Sequence, residues 1–306
     1  MRLPAVLVCV ALAWAENIPE TTASCQENIQ ALGNDRGRAL KHSNLYSQWH
    51  QDFVLSAALW PEPAQRPRVY IDLAVNDPVH ASNSYFFDHC LGWRGICIEP
   101  DFSYHDSIRK TRSCMLAPTC IDESPHEVTF AANGGYGTIA EDERTKTATH
   151  NGGRKPVLHT MRCARLAAVL ESFGVAHVDY LSLDIEGREL GALKSIDWAL
   201  TTIDVMTVET TTPEIVALLA THGIVPVMCV SLEMLFVRSA ATDSNGTRLD
   251  EKLLRWHAQV GESVLPGCLS RQTSDCLTTD PNAGASASRS FSACRRLNQE
   301  RRRKKG

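Results

Sequence analysis

Acidic residues follow most of the short apolar runs in this chain. They are Asp72, Glu99, Asp122, Asp184, Glu186 and Glu209. In an open α/β sheet a ligand binds in the crevice outside the carboxyl ends of the strands. Because carboxylates at those ends can accept hydrogen bonds from hydroxyl or ammonium groups, the pattern predicts one polar crevice at this edge of a sheet.

Glu99 is the most informative of these carboxylates. It lies 27 residues beyond Asp72, at the end of the second predicted strand. In nucleotide-binding α/β folds, a carboxylate at this position accepts the hydroxyls of a ribose. The alternative is a solvated strand end before Pro100. The spacing favours an adenosine-containing ligand.

The loop after the first predicted strand helps to choose between such ligands. Residues 75–81 contain no glycine. A pyrophosphate needs glycines there, because backbone N–H groups must approach its oxygens closely. S-adenosylmethionine has no phosphate, and its ammonium group suits an acidic loop. The loop therefore argues against a nicotinamide enzyme and favours S-adenosylmethionine.

The elements that position these carboxylates alternate between strand and helix. Seven runs have strand character, at 68–74, 95–99, 115–121, 178–183, 203–209, 224–230 and 232–237. Helical periodicity separates most of them, at 82–91, 162–173, 184–190 and 212–223. This alternation is typical of βαβ units and a Rossmann-like, mostly parallel sheet. The short link before 232 predicts an antiparallel C-terminal hairpin.

Two further segments carry weaker signals. Residues 127–131 are expected to extend the same sheet locally, and residues 133–156 to form a long irregular loop. Loops of this length often close over a site.

Seven sequence motifs together resemble the FkbM methyltransferase family. They are Ser47-Gln48, Gln51-Asp52, Tyr70-Ile-Asp-Leu-Ala74, Ser82-Asn83, Leu91-Gly-Trp-Arg-Gly95, Cys97-Ile-Glu-Pro100 and Leu181-Ser-Leu-Asp-Ile-Glu-Gly187. The resemblance covers roughly residues 43–238. It implies a class I methyltransferase fold and S-adenosylmethionine as methyl donor. It also implies transfer to an oxygen of a hydroxylated acceptor such as a sugar or glycan.

The resemblance also assigns roles to individual residues. It implies that Asp72 and the backbone near Ala74 line the methionine end of the cofactor, and that Glu99 holds the ribose. Asp122 would lie near the adenine, and Asp184 with Glu186 would border the transferred methyl group.

Two positions depart from the family pattern, whose first loop commonly reads DxGAxxG. This chain has Ala74 and Pro78 where those glycines are expected. Alanine adds one methyl group, whereas proline fixes φ and removes a donor. Pro78 must therefore lie where neither ligand nor helix needs a backbone N–H. These two departures bear on the affinity for the cofactor and on catalytic competence. They do not change the predicted fold.

Transfer to a hydroxyl requires a base that removes its proton. The candidates are Asp184, Glu186, His80 and His159. The two carboxylates have the better position at a strand end, although either could instead cap the following helix. No CxxC or paired Cys/His spacing is present, so we predict no metal site.

The N-terminus has the features of a secretory signal. Arg2 precedes an apolar stretch that ends in Ala13-Trp14-Ala15, a small-x-small cleavage pattern. We predict a signal peptide at 1–15, a lead-in segment at 16–46, the methyltransferase domain at 47–240, and a largely disordered extension at 241–306 with a basic tail. The expected location is the lumen of the endoplasmic reticulum or Golgi, or the cell exterior. No stable membrane span is expected in the mature chain.

The cysteines and a glycosylation sequon agree with that location. Ten of the eleven cysteines lie beyond the signal, where an oxidising compartment permits disulfides, and Asn245-Gly246-Thr247 is a glycosylation sequon.

The charge distribution bears on the partner. Residues 295–306 carry seven Lys or Arg and one Glu, so the remainder has a formal charge of −10. An acidic body argues against a nucleic-acid partner. The expected partner is a small-molecule or glycan acceptor.

A second function class remains open from the sequence. Some animal proteins that resemble this family, the Star-like proteins, are linked to trafficking of growth-factor precursors. The altered first loop favours such a non-catalytic adaptor. The retained carboxylates Asp72, Glu99, Asp184 and Glu186 favour an enzyme, because a scaffold does not need them at one crevice.

Overall fold

The computed structural model of the 306-residue chain describes residue 25 and residues 46–60, 66–141, 146–147, 155–261, 268–271 and 273–277. The signal peptide, most of the lead-in segment and the basic tail are predicted for residues outside this part of the chain. Among the helices described, none has the length and apolar character needed to cross a membrane. The segment limits stay predictions.

The described strands form two sheets. In chain order they are β1 (Val69–Leu73), β2 (Arg94–Ile98), β3 (Met115–Ala117), β4 (Glu127–Ala132), β5 (Thr138–Ile139), β6 (Val157–Arg162), β7 (His177–Leu183), β8 (Thr202–Val208), β9 (Ile224–Val230), β10 (Glu233–Arg238) and β11 (Leu269–Ser270). The main sheet has eight strands in the order β11-β9-β10-β8-β7-β1-β2-β3, and the second has the order β5-β4-β6.

The main sheet confirms the predicted Rossmann-like α/β class. β1 pairs in parallel with β2 and β7, β2 with β3, and β7 with β8. β10 pairs antiparallel with both β8 and β9, which confirms the C-terminal hairpin. The seven predicted strands are all present. The sheet has an eighth because Leu269 and Ser270 pair with Val230 and Cys229 at its edge.

Helices pack around the main sheet. They are α1 (Gln51–Ala58), α2 (His105–Thr111), α3 (Leu166–Ser172), α4 (Glu189–Lys194), α5 (Pro213–Thr221) and α6 (Leu249–Trp256). The predicted helix after Ser82 is a π-helical turn over Phe86–Cys90, and the Ser82 hydroxyl accepts the N–H of Tyr85 at 3.1 Å. Ile71, Leu181 and Met206 of the central strands are fully buried, as expected for a sheet covered on both faces.

Residues 127–162 differ from the sequence prediction. Residues 127–131 do not extend the main sheet, because β4 pairs antiparallel with β5 and β6. The predicted loop at 133–156 contains β5, and Arg162 ends β6 instead of starting a helix. Short strands of mixed polarity carry little periodic signal, so the partners that pair with them decide this structure.

Disulfides fasten loops and the C-terminal segment to the core, and four of the bonded pairs lie within the part of the chain that the structure describes. The bonded pairs are Cys25–Cys90, Cys97–Cys114, Cys120–Cys163 and Cys229–Cys276. The last of them joins a residue beyond 240 to strand β9, and α6 buries Leu249 and Leu253. Part of the predicted extension therefore packs on the domain.

Candidate functional site

A mainly apolar cleft lies at the carboxyl ends of β1, β2 and β3, between the main sheet and the three-stranded sheet. Its lining residues are Leu73, Ala74, Ile98, Pro100, Thr119, Cys120, Ile121, Phe130, Gly137, Thr138, Ile139, Ile185 and Arg188. Ligands of open α/β sheets generally bind outside the carboxyl ends of the strands, and this cleft lies there. An apolar slot with a few polar groups at its rim suits a flat heterocycle such as adenine.

Glu99 lies beside this cleft, directly after β2. Its side chain is almost completely buried, at 3% exposure. The Oε2 atom accepts the N–H of Asn76 at 2.8 Å, and Oε1 accepts the N–H of Asp101 at 2.7 Å. Burial raises the pKa of Glu99 to about 7, against the lowering effect of these two N–H donors. Each carboxylate oxygen has a second lone pair, so both can still accept a ligand hydroxyl.

The loop after β1 explains the two unusual residues at 74 and 78. Ala74 has φ 63°, in the left-handed region that favours glycine, and its N–H donates to Ile98 O at 2.9 Å. Asp77 Oδ1 accepts the N–H groups of Val79 and His80, so Pro78 begins a side-chain-capped turn that needs no donor from it. Both substitutions are compatible with the observed backbone.

Ala74→Gly is expected to stabilise the protein by about 1 kcal/mol. The left-handed conformation costs an L-residue about 1–2 kcal/mol, and the extra freedom of glycine in the unfolded chain cancels part of that gain. Ala168→Gly on the exposed face of α3 is the control, and it is expected to destabilise by a similar amount. Urea unfolding of both variants measures the difference. Equal destabilisation by the two changes would contradict strain at Ala74.

Asp72 faces into the protein and contacts Arg112. Its Oδ2 accepts the Ser84 hydroxyl and lies 3.9 Å from Arg112 Nη1. Arg112 also donates to Asp88 at 2.5 Å and to the Pro78 carbonyl at 3.3 Å. Burial raises the pKa of Asp72 to about 6, while the Arg112 charge lowers it. The buried guanidinium thus connects the end of β1 to the first loop, a role that the sequence did not reveal.

Asp122 lies at the β3 end of the cleft. Its Oδ2 is 3.9 Å from Arg188 Nη1, and its Oδ1 accepts the N–H of Glu123 at 2.7 Å. Arg188 lines the cleft and also pairs with Glu141. The chain neighbour Ile121 lines the cleft as well. The structure therefore brings Asp122 to the expected end of the cleft, and its contact with adenine stays a prediction.

Three half-buried carboxylates meet where β7 and β8 end. One oxygen each of Asp184, Glu186 and Glu209 lies within 4.8 Å of the others. The charge of Asp184, together with burial, raises the pKa of Glu209, and the two carboxyl groups share a hydrogen bond. Burial and the charge of Asp184 raise the pKa of Glu186 to about 8. We call these three residues the carboxylate cluster.

Two further acids support the cluster and escaped the sequence analysis. Glu189 Oε1 accepts the N–H groups of Ile185 and Gly187 at 3.2 Å, which holds the turn carrying Glu186. Glu233 begins β10 and is 2% exposed. Burial raises its pKa to about 8, and the charge of Asp184 adds to the shift. Glu233 interrupts an otherwise apolar run in the sequence. That interruption was the signal that could have identified it as a buried polar residue near the site.

The two histidines considered as bases occupy other places. His80 is exposed in the first loop. His159 lies on β6 and packs against Phe102 and Phe130, with its Nε2 3.4 Å from the Pro100 carbonyl. Phe130 and Pro100 line the cleft, so His159 lies beside the expected cofactor and away from Asp184 and Glu186 along the chain. The general base remains better placed at Asp184 or Glu186.

The strand order, the antiparallel last pair and a cleft at the carboxyl ends define a Rossmann-like methyltransferase fold of class I. Residues 72–226, just over half of the chain, match the model of the methyltransferase FkbM domain. The chain belongs to the FkbM methyltransferase family. A comparison with curated proteins found no match.

Proposed function

We propose that this protein is an S-adenosylmethionine-dependent O-methyltransferase that acts on a hydroxylated acceptor such as a sugar or glycan. The observation that carries the proposal is the FkbM domain match, which spans both the apolar cleft beside Glu99 and the carboxylate cluster. S-adenosylmethionine supplies the methyl group when it is bound. Everything else depends on how the side chains of this chain bind and align the reactants.

The residues around the cleft fit such a cofactor. Ile98, Pro100 and Ile121 offer apolar surface for an adenine, and Glu99 offers two carboxylate oxygens for ribose hydroxyls. Asp72 contributes negative charge near Asp184, which suits a cationic ligand. Its contact with Arg112 places it behind the loop, so the Ala74 backbone is the closer contact for the methionine end.

The carboxylate cluster supplies the acid–base chemistry of the proposal. Glu186 has a pKa of about 8 and is partly exposed, so it can exchange a proton with an acceptor hydroxyl near neutral pH. Asp184 and Glu186 follow β7 directly, on the same sheet edge as the cleft. The acceptor therefore belongs between the cleft and this cluster.

Calorimetric titration with S-adenosylmethionine tests the proposal on the whole mature chain. We expect saturable binding of one equivalent, with S-adenosylhomocysteine as competitor and adenosine triphosphate as a control that does not compete. If no heat of binding is measured up to high ligand concentration while circular dichroism shows a folded protein, the enzyme proposal is contradicted. A Star-like adaptor would then be the alternative.

We propose that the protein works in the secretory pathway. The four disulfides between described residues support this location, because such bonds persist in oxidising compartments and are rare in the cytosol. The Asn245 sequon lies in an exposed turn, which is accessible to glycosylation. Both features also agree with cleavage of the predicted signal peptide.

Expression in cultured animal cells tests the location. We expect an N-terminus near Glu16 and a shift in gel mobility after glycosidase treatment, which Asn245→Gln removes. Non-reducing peptide mapping should recover Cys120 bound to Cys163 and Cys229 bound to Cys276. An uncleaved, reduced and unglycosylated protein would contradict the proposal.

A further inference from the structure

Among the residues that the structure describes, no lysine or arginine forms an ion pair with the carboxylate cluster. The groups that most raise the pKa values of Glu186 and Glu209, apart from burial, are neighbouring carboxylates. In contrast, Asp72 at the adjacent strand end is paired with Arg112. Bringing several carboxylates together in a partly dry site is costly unless a proton or a cation compensates for the charge.

The spacing of the three oxygens is compatible with the coordination shell of a hard divalent cation. All three lie within 4.8 Å of one another. Oxygen ligands at about 2.1 Å from Mg²⁺ are about 3.0 Å apart when adjacent and about 4.2 Å apart when opposite. For Ca²⁺ at about 2.4 Å these distances become about 3.4 and 4.8 Å. Oxygens within this limit can contact one ion together, so the spacing allows Asp184, Glu186 and Glu209 to share it.

Glu233 provides an independent observation that points to the same place. The antiparallel register pairs Val208 with Met234, so the adjoining residues Glu209 and Glu233 face each other across β8 and β10. Glu233 is 2% exposed. Its Oε1 accepts Asn83 Nδ2 at 3.3 Å and also Gln51 Nε2. The Thr207 side chain interacts with the same carboxyl group and lowers its pKa, but Oε2 has no hydrogen-bond partner of good geometry among the described residues.

An unpartnered buried carboxylate oxygen is rare in folded proteins, and each case calls for an explanation. The charge of Glu233 raises the pKa of Glu209, and the charge of Asp184 raises the pKa of Glu233. Glu233 therefore lies next to the cluster, on the β10 side of Glu209. A cation in the cluster would favour the ionised form of Glu233 without needing a direct bond to it. The cluster itself is only half-buried, which leaves a path for the ion from solvent.

The other acidic group of similar spacing has different surroundings. His177, Asp179 and Asp204 also lie close together, at the opposite ends of the strands. Arg66 contacts both oxygens of Asp179, and Arg238 donates to Asp204 at 2.6 Å. Guanidinium groups already occupy the positions that a metal ion would take, so this second group is not a site.

We propose that Asp184, Glu186 and Glu209 bind one hard divalent cation of the Mg²⁺, Mn²⁺ or Ca²⁺ class. An all-oxygen ligand set selects these ions over Zn²⁺ and Cu²⁺. Three protein ligands leave coordination positions for water or an acceptor hydroxyl. A hydroxyl bound there would lose its proton more easily, and this last consequence rests on the proposed methyl transfer.

The test uses the full chain after removal of metals with a chelator that is then dialysed away. MgCl₂, MnCl₂ and CaCl₂ are each titrated calorimetrically, and thermal unfolding is recorded with and without each ion. The wild type is expected to bind one ion and to unfold at a higher temperature in its presence. Lack of saturable binding up to about 10 mM of all three salts would overturn the proposal.

Glu209→Gln and Glu186→Gln are the two test variants, and Glu171→Gln, an exposed acid on α3, is the matched control. Each test variant should bind the ion at least tenfold more weakly. Without metal, Glu209→Gln should unfold at a higher temperature than the wild type, because it removes the cost of keeping a carboxyl group beside Asp184. The control should change neither quantity. Unchanged ion affinity in both test variants would refute the assignment.

The same preparation separates this proposal from the proposed function. Binding of S-adenosylmethionine without any binding of a divalent cation overturns the metal site and leaves the methyltransferase proposal standing. Binding of a cation without binding of S-adenosylmethionine supports the site and overturns the cofactor proposal.

Discussion

Glu99→Gln is expected to weaken the binding of S-adenosylmethionine by about 30-fold. The change keeps the shape of the side chain but replaces an ionised acceptor, and hydrogen bonds to a charged group contribute about 2 kcal/mol. Glu99 is 3% exposed, so water cannot replace the lost interaction easily. Calorimetric titration of the variant beside the wild type measures the ratio of the dissociation constants.

Glu171→Gln on α3 is the matched control for this prediction, because it makes the same chemical change on the exposed surface. It should leave cofactor affinity within a factor of two. Thermal unfolding of both variants shows whether Glu99→Gln acts on binding or on the fold. Equal affinities in the wild type and Glu99→Gln would place the ribose elsewhere.

The pH dependence of binding gives the same prediction a second readout. Burial raises the pKa of Glu99 in the free protein to about 7. Below that pH the carboxyl group is protonated and cannot accept both hydroxyls, so affinity should fall as pH decreases, by up to tenfold per unit. Glu99→Gln should lack this component. A wild-type affinity that rises as pH falls would contradict the assignment.

Arg112→Met is expected to destabilise the fold by about 4 kcal/mol. The Arg112 side chain is fully buried and ion-paired with Asp88, and it also lies 3.9 Å from Asp72 Oδ2. Removal of one partner from a buried pair leaves an uncompensated charge, which typically costs about 3–5 kcal/mol. Urea unfolding followed by circular dichroism measures the loss, and the melting temperature should fall by roughly 10 °C.

Arg109→Met, on the helix α2 that ends at Thr111 just before Arg112, is the control for Arg112→Met. Arg109 is 58% exposed and pairs with the exposed Asp106 at 3.5 Å. Exposed pairs of this kind contribute at most about 1 kcal/mol. The double variant Arg112→Met/Asp88→Asn should recover part of the lost stability, because it removes the charge left behind. Equal effects of the two single arginine variants would show that the buried contacts of Arg112 with Asp72, Asp88 and the first loop do not stabilise the fold.

Much of the fold follows from local sequence. Apolar runs such as 178–183 and 203–209 became buried parallel strands, because continuous apolar segments of this length suit a sheet covered on both faces. The acids that end those strands were placed correctly at the carboxyl edge. The FkbM motifs likewise predicted the family that the domain match confirms.

The sequence failed where partners distant in the chain decide the structure. Residues 127–131 had the right strand character, but only pairing with 157–162 shows that they belong to a separate sheet. Leu269 and Ser270 gave no usable signal, because a two-residue edge strand depends on its neighbour and on the nearby Cys229–Cys276 bond.

The site shows the same division. Residue types and spacing by themselves determined the class of fold, the family and the row of carboxylates at one edge of the sheet. Only the tertiary structure decided that Asp72 is paired with Arg112, and that Asp184, Glu186 and Glu209 converge in front of the buried Glu233. Charge pairing depends on distances of a few ångströms between residues far apart in the chain, and a pattern along the sequence does not contain those distances.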